Sequence, residues 1–252
     1  MEDRKIEEIK HYDEDAKNWR GGSSDIQGVD VMMMESYRVV YKILESEVKG
    51  KTVLDYGCGH GMHSVSIARF GGKITGVDLS EESLKIAKRR SEEDGFSEKI
   101  QFVTGDCESL PFADHSFDIV FDGGTFSSLD IEKAFSEIAR VLKPGGLLIG
   151  IETLGHNPLA NFKRWINKKR GIRTGWAAEH IMKMSDFEHA KKYFDVRETK
   201  FFHFFSMFAF PFRNLPGGKV LFRVLDKIDN MVLKIPFLKR YGFKIVFVFK
   251  KK

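Results

Sequence analysis

Cysteine is scarce: the 252 residues hold two, Cys58 and Cys107. Two are too few for a disulfide framework, which suits a reducing, cytoplasmic setting. They lack partners at metal-ligand spacing, so no metal site is expected; small side chains packed near a ligand are the plainer reading. No stretch reaches the roughly 18 uninterrupted apolar residues of a transmembrane helix. The start, Met1-Glu2-Asp3-Arg4-Lys5-Ile6-Glu7-Glu8, lacks an apolar segment and is not expected to act as a secretory signal. Internal repeats and low-complexity runs are absent. Acids are scarce at one end: from Arg197 onward thirteen Lys/Arg face three acids, Glu198, Asp226 and Asp229, a net of +10, so the total of +5 leaves −5 for the rest. That basic tail also holds 12 of the 23 Phe. It fits either an anionic or membrane-surface partner, or a core filled by Phe under solvated Lys.

What is present is 42% apolar, enough for one domain with a sizeable core. Residues 1–50 read as helical, with a Gly22-Ser23-Ser24 break before a helix that includes Met32-Met33-Met34. From Lys51 short apolar strands alternate with helices. The strands are Val53–Tyr56, Ile74–Asp78, Ile100–Val103, Phe117–Phe121 and Leu147–Ile151. The helices are Ser64–Phe70, Glu81–Glu93 and Ile131–Leu142. That alternation implies right-handed crossovers and a parallel sheet covered on both faces, a doubly wound α/β fold.

After Glu152 the regularity is lost. Residues 153–184 read as a polar, basic, His-bearing insertion. A helix is expected from Ser185 to Tyr193, with Ser185 as N-cap and Glu188 completing a capping box. Strands are expected over Asp195–Phe205 and Phe243–Phe249, with a helix from about Val220 to Lys234 between them. Its apolar residues, Val220, Leu221, Val224, Leu225, Ile228 and Met231 among them, recur at helical spacing, so packing against the domain is the default.

The chemistry centres on Val53-Leu54-Asp55-Tyr56-Gly57-Cys58-Gly59-His60-Gly61. Glycines at a strand-to-helix turn let the backbone bend sharply and approach a ligand closely. The spacing is G-x-G-x-G rather than the G-x-G-x-x-G of dinucleotide sites, which disfavours a nicotinamide enzyme. Asp55 just upstream suits an ammonium and a sulfonium better than a diphosphate. Asp78 ends the second strand, where it can accept from both ribose hydroxyls. Asp106 follows the third, where it can accept an adenine amino group.

These motifs, with Gly76-Val77-Asp78-Leu79-Ser80, Gly105-Asp106 before Leu110-Pro111-Phe112, Phe117-Asp118-Ile119-Val120 and Arg140-Val141-Leu142-Lys143-Pro144-Gly145-Gly146, resemble class I S-adenosylmethionine-dependent methyltransferases over about residues 50–152. The core resembles that of ubiquinone and menaquinone methyltransferases. The resemblance implies a Rossmann-like, doubly wound seven-stranded sheet, mostly parallel with an antiparallel last strand, and helical insertions at about 153–184 and 206–240. It implies S-adenosylmethionine as cofactor and S-adenosylhomocysteine as product. Asp55 and the backbone from Gly57 through Cys58 and Gly59 to Gly61 would face the methionine part. Asp78 and Leu79 would hold the ribose, Asp106 and Cys107 the adenine, and Asp122-Gly123 would border the methyl group. Residues 11–19, with Tyr12 and Trp19, resemble a cofactor lid, so 1–50 is expected to be an N-terminal helical lid on a 51–252 catalytic domain. Gly155-His156-Asn157-Pro158 resembles more loosely one bacterial and archaeal subgroup.

Candidate general bases are His156 and Glu152 after the fifth strand, and His180 with Glu179 in the insertion. The His that many relatives carry after the fourth strand has no counterpart in Gly123–Leu129. His60 and His63 are expected to shape the loop and first helical turn. The expected activity is methylation, by preference O-methylation, of a small or lipid-like molecule, with an anionic membrane face along residues 201–240 and a cytoplasmic or inner-face peripheral location. The alternatives are N- or C-methylation of a metabolite, or RNA methylation through the basic tail and Lys163, Arg164, Lys168, Lys169, Arg170 and Arg173. No RNA-binding module and no Asn/Asp-Pro-Pro-Tyr motif accompanies them, so nucleic acid is the less expected partner.

Overall fold

The strand–helix alternation that begins at Lys51 folds, in a computed structural model of the chain, into a seven-stranded sheet. The structure describes residues 2–19, 25–26, 29–30, 34–169 and 174–252. Gly22-Ser23-Ser24, Met32-Met33, Arg170 and Arg173 lie outside the described residues. The strands are β1 (Thr52–Tyr56), β2 (Lys73–Asp78), β3 (Ile100–Thr104), β4 (Phe117–Asp122), β5 (Leu142–Thr153), β6 (Phe194–Phe202) and β7 (Lys244–Lys251). Their order is β3-β2-β1-β4-β5-β7-β6. The first five are parallel; β7 runs antiparallel to both neighbours, with Leu147 opposite Lys250 and Phe201 opposite Ile245. The mostly parallel sheet with an antiparallel last strand is therefore present.

Alternation along each strand makes two cores. Leu54, Tyr56, Val120, Leu148 and Phe247 face one side, under α5 (Ile131–Val141) and α8 (Asp186–Ala190). Val53, Ile119, Phe121, Ile149 and Val246 face the other, under α2 (Glu35–Glu47) and α3 (Met62–Arg69). A side chain on β5 at Gly150 would put its Cβ 2.2 Å from the Phe247 ring, so only glycine lets the aromatic β7 lie flush there.

Several expectations need correction. Residues 1–50 are not helical throughout: α1 (Asp3–Lys17) and α2 are separated by an antiparallel pair, Asp25–Ile26 with Val29–Asp30. Ser185 does not cap α8, because its own backbone is already helical and its hydroxyl makes no cap bond. The insertion expected at about 153–184 is helical as the resemblance implied, with α6 (Pro158–Lys169) and α7 (Gly175–Glu179).

The largest departure is α10 (Gly218–Val232). Its apolar stripe faces outward: Val220, Leu221, Val224, Ile228 and Met231 are exposed, whereas Phe222, Asp226 and Asp229 are buried. The reason is a polar anchor. Buried His203, held at φ 64°, pairs through Nδ1 with Asp226 at 2.8 Å, and its Nε2 meets the Ser36 hydroxyl at 2.9 Å. Asp229 accepts from the Phe205 and Ser206 amides at 2.6 and 3.0 Å. Turning both carboxylates inward onto these partners, with only Asp226 Oδ2 left unpaired among the described residues, fixes the rotation of the helix, and its apolar stripe is left outside.

Candidate active site

The turn after β1 requires its glycines. Gly57, Gly59 and Gly61 all adopt left-handed φ, at 66°, 49° and 72°. A Cβ on Gly57 would sit 2.4 Å from the Thr125 side chain, whose hydroxyl donates to the Tyr56 and Gly57 carbonyls at 3.0 and 3.3 Å. The loop after β4 thus clamps the loop after β1. On the other side the Gly59 amide donates to Asp78 Oδ2, and the Ser80 amide to Oδ1, both at 2.9 Å. These bonds aim the Asp78 carboxylate along the end of β2. Burial raises its pKa above the ordinary carboxylate value, against the opposing amide bonds.

Asp106 sits at the end of β3, where its Oδ1 accepts from the Glu108 amide at 2.8 Å. Its Oδ2 is engaged by Lys5 of α1 at 2.6 Å, a partner the sequence reading did not foresee for a carboxylate expected to meet adenine. Lys5 also reaches Glu108 at 2.9 Å, and Arg4 contacts the same carboxylate at 2.5 Å. Burial pushes the Glu108 pKa up, but bonds from Arg4, the Asp130 amide and Lys5 outweigh it and hold the carboxyl below its ordinary value. Further along α1, Asp13 accepts from Ser80 at 2.6 Å and Tyr12 meets Ser128 at 3.1 Å; just past its end, Trp19 lies edge-on to His60 at 4.5 Å. The first helix therefore spans the carboxyl ends of the parallel strands, where doubly wound sheets bind ligands. Beneath it is a cavity of about 290 Å³.

Ten of the thirteen residues expected to bind the cofactor line this cavity: Tyr12, Trp19, Gly57, Cys58, Gly59, Asp78, Leu79, Asp106, Cys107 and Gly123. Three do not. Gly61 caps α3. Asp55 is buried below the glycine turn, accepting from the Ser64 hydroxyl at 2.5 Å, and burial pushes its pKa up to about 7. Asp122 folds back on its own turn, accepting from the Thr125 amide at 3.0 Å; burial, then the neighbouring Glu152, raises its pKa well above the ordinary range.

None of the candidate bases lines the cavity. His156 Nε2 accepts from the Met184 amide at 3.1 Å. Glu152 accepts from the Phe126 and Thr153 amides at 2.8 and 2.9 Å. His180 stacks on Trp176 with ring centres 3.6 Å apart, and Glu179 is exposed beside it. The backbone explains this. After β5 the Gly155 amide bonds the Met182 carbonyl at 2.8 Å, which carries the chain away from the strand ends.

Two other groups in the cavity wall carry a buried polar atom with no hydrogen-bond partner among the described residues. Glu8 is buried, takes the Thr174 hydroxyl on Oε1, and has no partner for Oε2 among the described residues. His63 meets the Tyr41 hydroxyl through Nδ1 at 2.8 Å and leaves Nε2 without a partner among the described residues. Burial, then Lys244 and Arg90, drives its pKa down to about 3, so it is neutral. Glu8 was legible in principle: Arg4, Glu8 and Tyr12 recur every four residues along one face of α1.

The site accommodates an adenosyl sulfonium. Its glycine turn leaves the backbone bare, the space above Gly59 is open for 4 Å around a built Cβ, and two carboxylates stand at adjacent strand ends. Comparison with known proteins agrees with this donor set. Residues 54–150 match the family model described as a methyltransferase domain. The chain is 41% identical over 106 residues to a sterol 24-C-methyltransferase of Pneumocystis carinii (strain B80), covering 41% of this chain and 28% of that protein. It is 34% identical over 131 residues to a demethylmenaquinone methyltransferase of Staphylococcus aureus (strain JH9), covering 49% of this chain and 53% of that protein. The chain thus spans at most about half the length of either curated relative. A geranyl diphosphate C-methyltransferase from Streptomyces coelicolor A3(2), solved with Mg2+, geranyl diphosphate and S-adenosyl-L-homocysteine, shares the fold with a TM-score of 0.65 at 13% identity. That match covers 100% of this chain and 98% of that one.

Proposed function

We propose that the chain, whose residues 54–150 match a methyltransferase domain, is a class I S-adenosylmethionine-dependent methyltransferase that methylates a small, lipid-like acceptor beneath its N-terminal helix. The observation that carries the reading is the cavity itself, where the glycine turn, Asp78 and Asp106 converge under α1. S-adenosylmethionine supplies a methyl group on a sulfonium with a neutral leaving group. The residues of the chain supply position: Gly57–Gly59 offer backbone, Asp78 a preoriented carboxylate, and α1 a roof that excludes water. Alignment of this kind is worth roughly 7–11 kcal/mol of barrier.

Oxygen is our reading of the acceptor atom. Glu8 lines the cavity with one carboxylate oxygen unpaired among the described residues, and in this reading it takes the proton from a hydroxyl as it attacks, which contributes about 10²–10⁴-fold. The sterol and geranyl relatives are named as C-methyltransferases, and that observation favours carbon as the second reading. Fragmentation mass spectrometry of the methylated product separates the two. The domain reading itself is tested by calorimetry with S-adenosylhomocysteine. Wild-type protein should bind, and Asp78→Ala should lose at least about tenfold in affinity, or 1.4 kcal/mol. No measurable affinity for either S-adenosylmethionine or S-adenosylhomocysteine would sink it.

A further inference from the structure

The outward apolar face of α10 does not stand alone. Ile235 and Phe237 just past the helix are exposed as well, as are Phe208 and Phe212 on the short helical segments packed against it. Lys163 of α6 stands over the Phe210 ring at 5.8 Å, which joins the two regions. On α6, Phe162 and Trp165 stack on one another at 5.9 Å and remain 63% and 53% exposed. Val220, Phe237 and Met231 are 61%, 70% and 72% exposed. Isolated apolar residues on a surface need no explanation, but so many on two helices linked by the Lys163–Phe210 contact do.

The charges around this face have one sign. On a 3.6-residue repeat, Lys219, Arg223 and Lys227 fall together along one flank of the α10 stripe, and Lys234 follows just past the end of the helix. All four are exposed, and none forms an ion pair among the described residues. The helix's two acids, Asp226 and Asp229, are consumed by the inward anchor. On α6 the basic residues Lys163, Arg164 and Lys169 have no acid in the helix beside them. No helix among the described residues is long and apolar enough to cross a membrane. An apolar face with a cationic margin, too short to span, matches the chemistry of an interfacial helix on anionic lipid.

We propose that α10 and α6 form a docking face for an anionic lipid surface, with Met231, Phe237, Phe162 and Trp165 entering the acyl boundary and the flanking Lys and Arg meeting headgroups. This goes beyond the methyltransferase reading and stands without it. Specific acidic headgroup recognition is not required; the field of the leaflet suffices.

The test is flotation of the full chain with vesicles of phosphatidylcholine alone and of phosphatidylcholine mixed with phosphatidylglycerol, alongside light scattering of the protein by itself. Wild-type protein should float with the anionic vesicles only. Met231→Glu combined with Phe237→Glu should lower partitioning at least about tenfold, and Lys219→Ala or Lys227→Ala about fivefold each. Calorimetry with S-adenosylhomocysteine and the thermal transition should be unchanged in all of these exposed-site variants, which excludes misfolding as the cause. Wild-type protein left behind by anionic vesicles overturns the proposal. So does a solution dimer that Met231→Glu and Phe237→Glu split, since the face would then be covered by a second copy.

Discussion

Glu8 shows what a single side chain contributes when its neighbours leave it one free oxygen. Its Oε1 accepts from the Thr174 hydroxyl, and Oε2 is buried without a partner among the described residues, in a residue that lines the cavity. Glu8→Gln keeps the shape and removes the base. With a hydroxyl acceptor kcat should fall about 10²–10⁴-fold while cofactor affinity is retained. His156→Ala should leave kcat near wild type, because that imidazole is bonded to the Met184 amide outside the cavity. The reverse ranking in steady-state turnover would return the role to His156. Asp55 makes a different prediction. Burial holds its folded pKa at about 7, against about 3.9 when unfolded, so the folded state keeps the proton more tightly. Its contribution to stability therefore falls as pH rises from about 4 through about 7. Asp55→Asn should raise the melting temperature of the ligand-free protein at about pH 8, by on the order of a few kcal/mol of stability, and the gain should vanish toward about pH 4. A pH-independent difference in thermal scans would contradict this assignment.

At the level of elements, α1 is the part whose sequence gave least warning of its attachment. It is predominantly acidic, yet it is held by its two early cations, Arg4 and Lys5, to Glu108 and Asp106 beyond β3. Glu108 is nearly inaccessible, at 1% side-chain exposure, so this is a desolvated network rather than a surface pair. Arg4→Ala leaves that carboxylate short of a partner and should cost about 1–3 kcal/mol of lid attachment. The expected readout is faster release of S-adenosylhomocysteine, followed through Trp19 fluorescence, with Lys133→Ala as a milder control at the exposed margin. The pH dependence has a definite sign. Because the folded Glu108 pKa is depressed, the attachment is fully present above about 4.3 and is lost as pH falls through the lower folded value. Release rates that do not change on acidification would remove Glu108 from the anchor.

Over the whole molecule, what could be read along the chain was local. β1 to β5, the glycine turn, Asp78 and Asp106 all lie within segments whose period or spacing is set by neighbours a few residues away, and the sheet follows from crossover handedness. The placement of His156, Glu152 and His180 was not legible, because it depends on the Gly155–Met182 backbone bond and the Trp176 stack, contacts between residues that no local pattern links to the cavity. The rotation of α10 is not legible along the chain for the same reason. Periodicity identifies an apolar stripe, but which side of a helix is buried is an energetic contest. Two inward carboxylates with His203, Ser36 and backbone amides as partners outweighed the burial of Val220, Val224 and Met231. The sequence by itself thus determined the strands, the turn and the chemistry of the cofactor end. The tertiary structure alone decided how α1 is tied down over the cavity, which carboxylates stand in its wall and which side of α10 is turned outward, since each rests on desolvated polar contacts between distant residues.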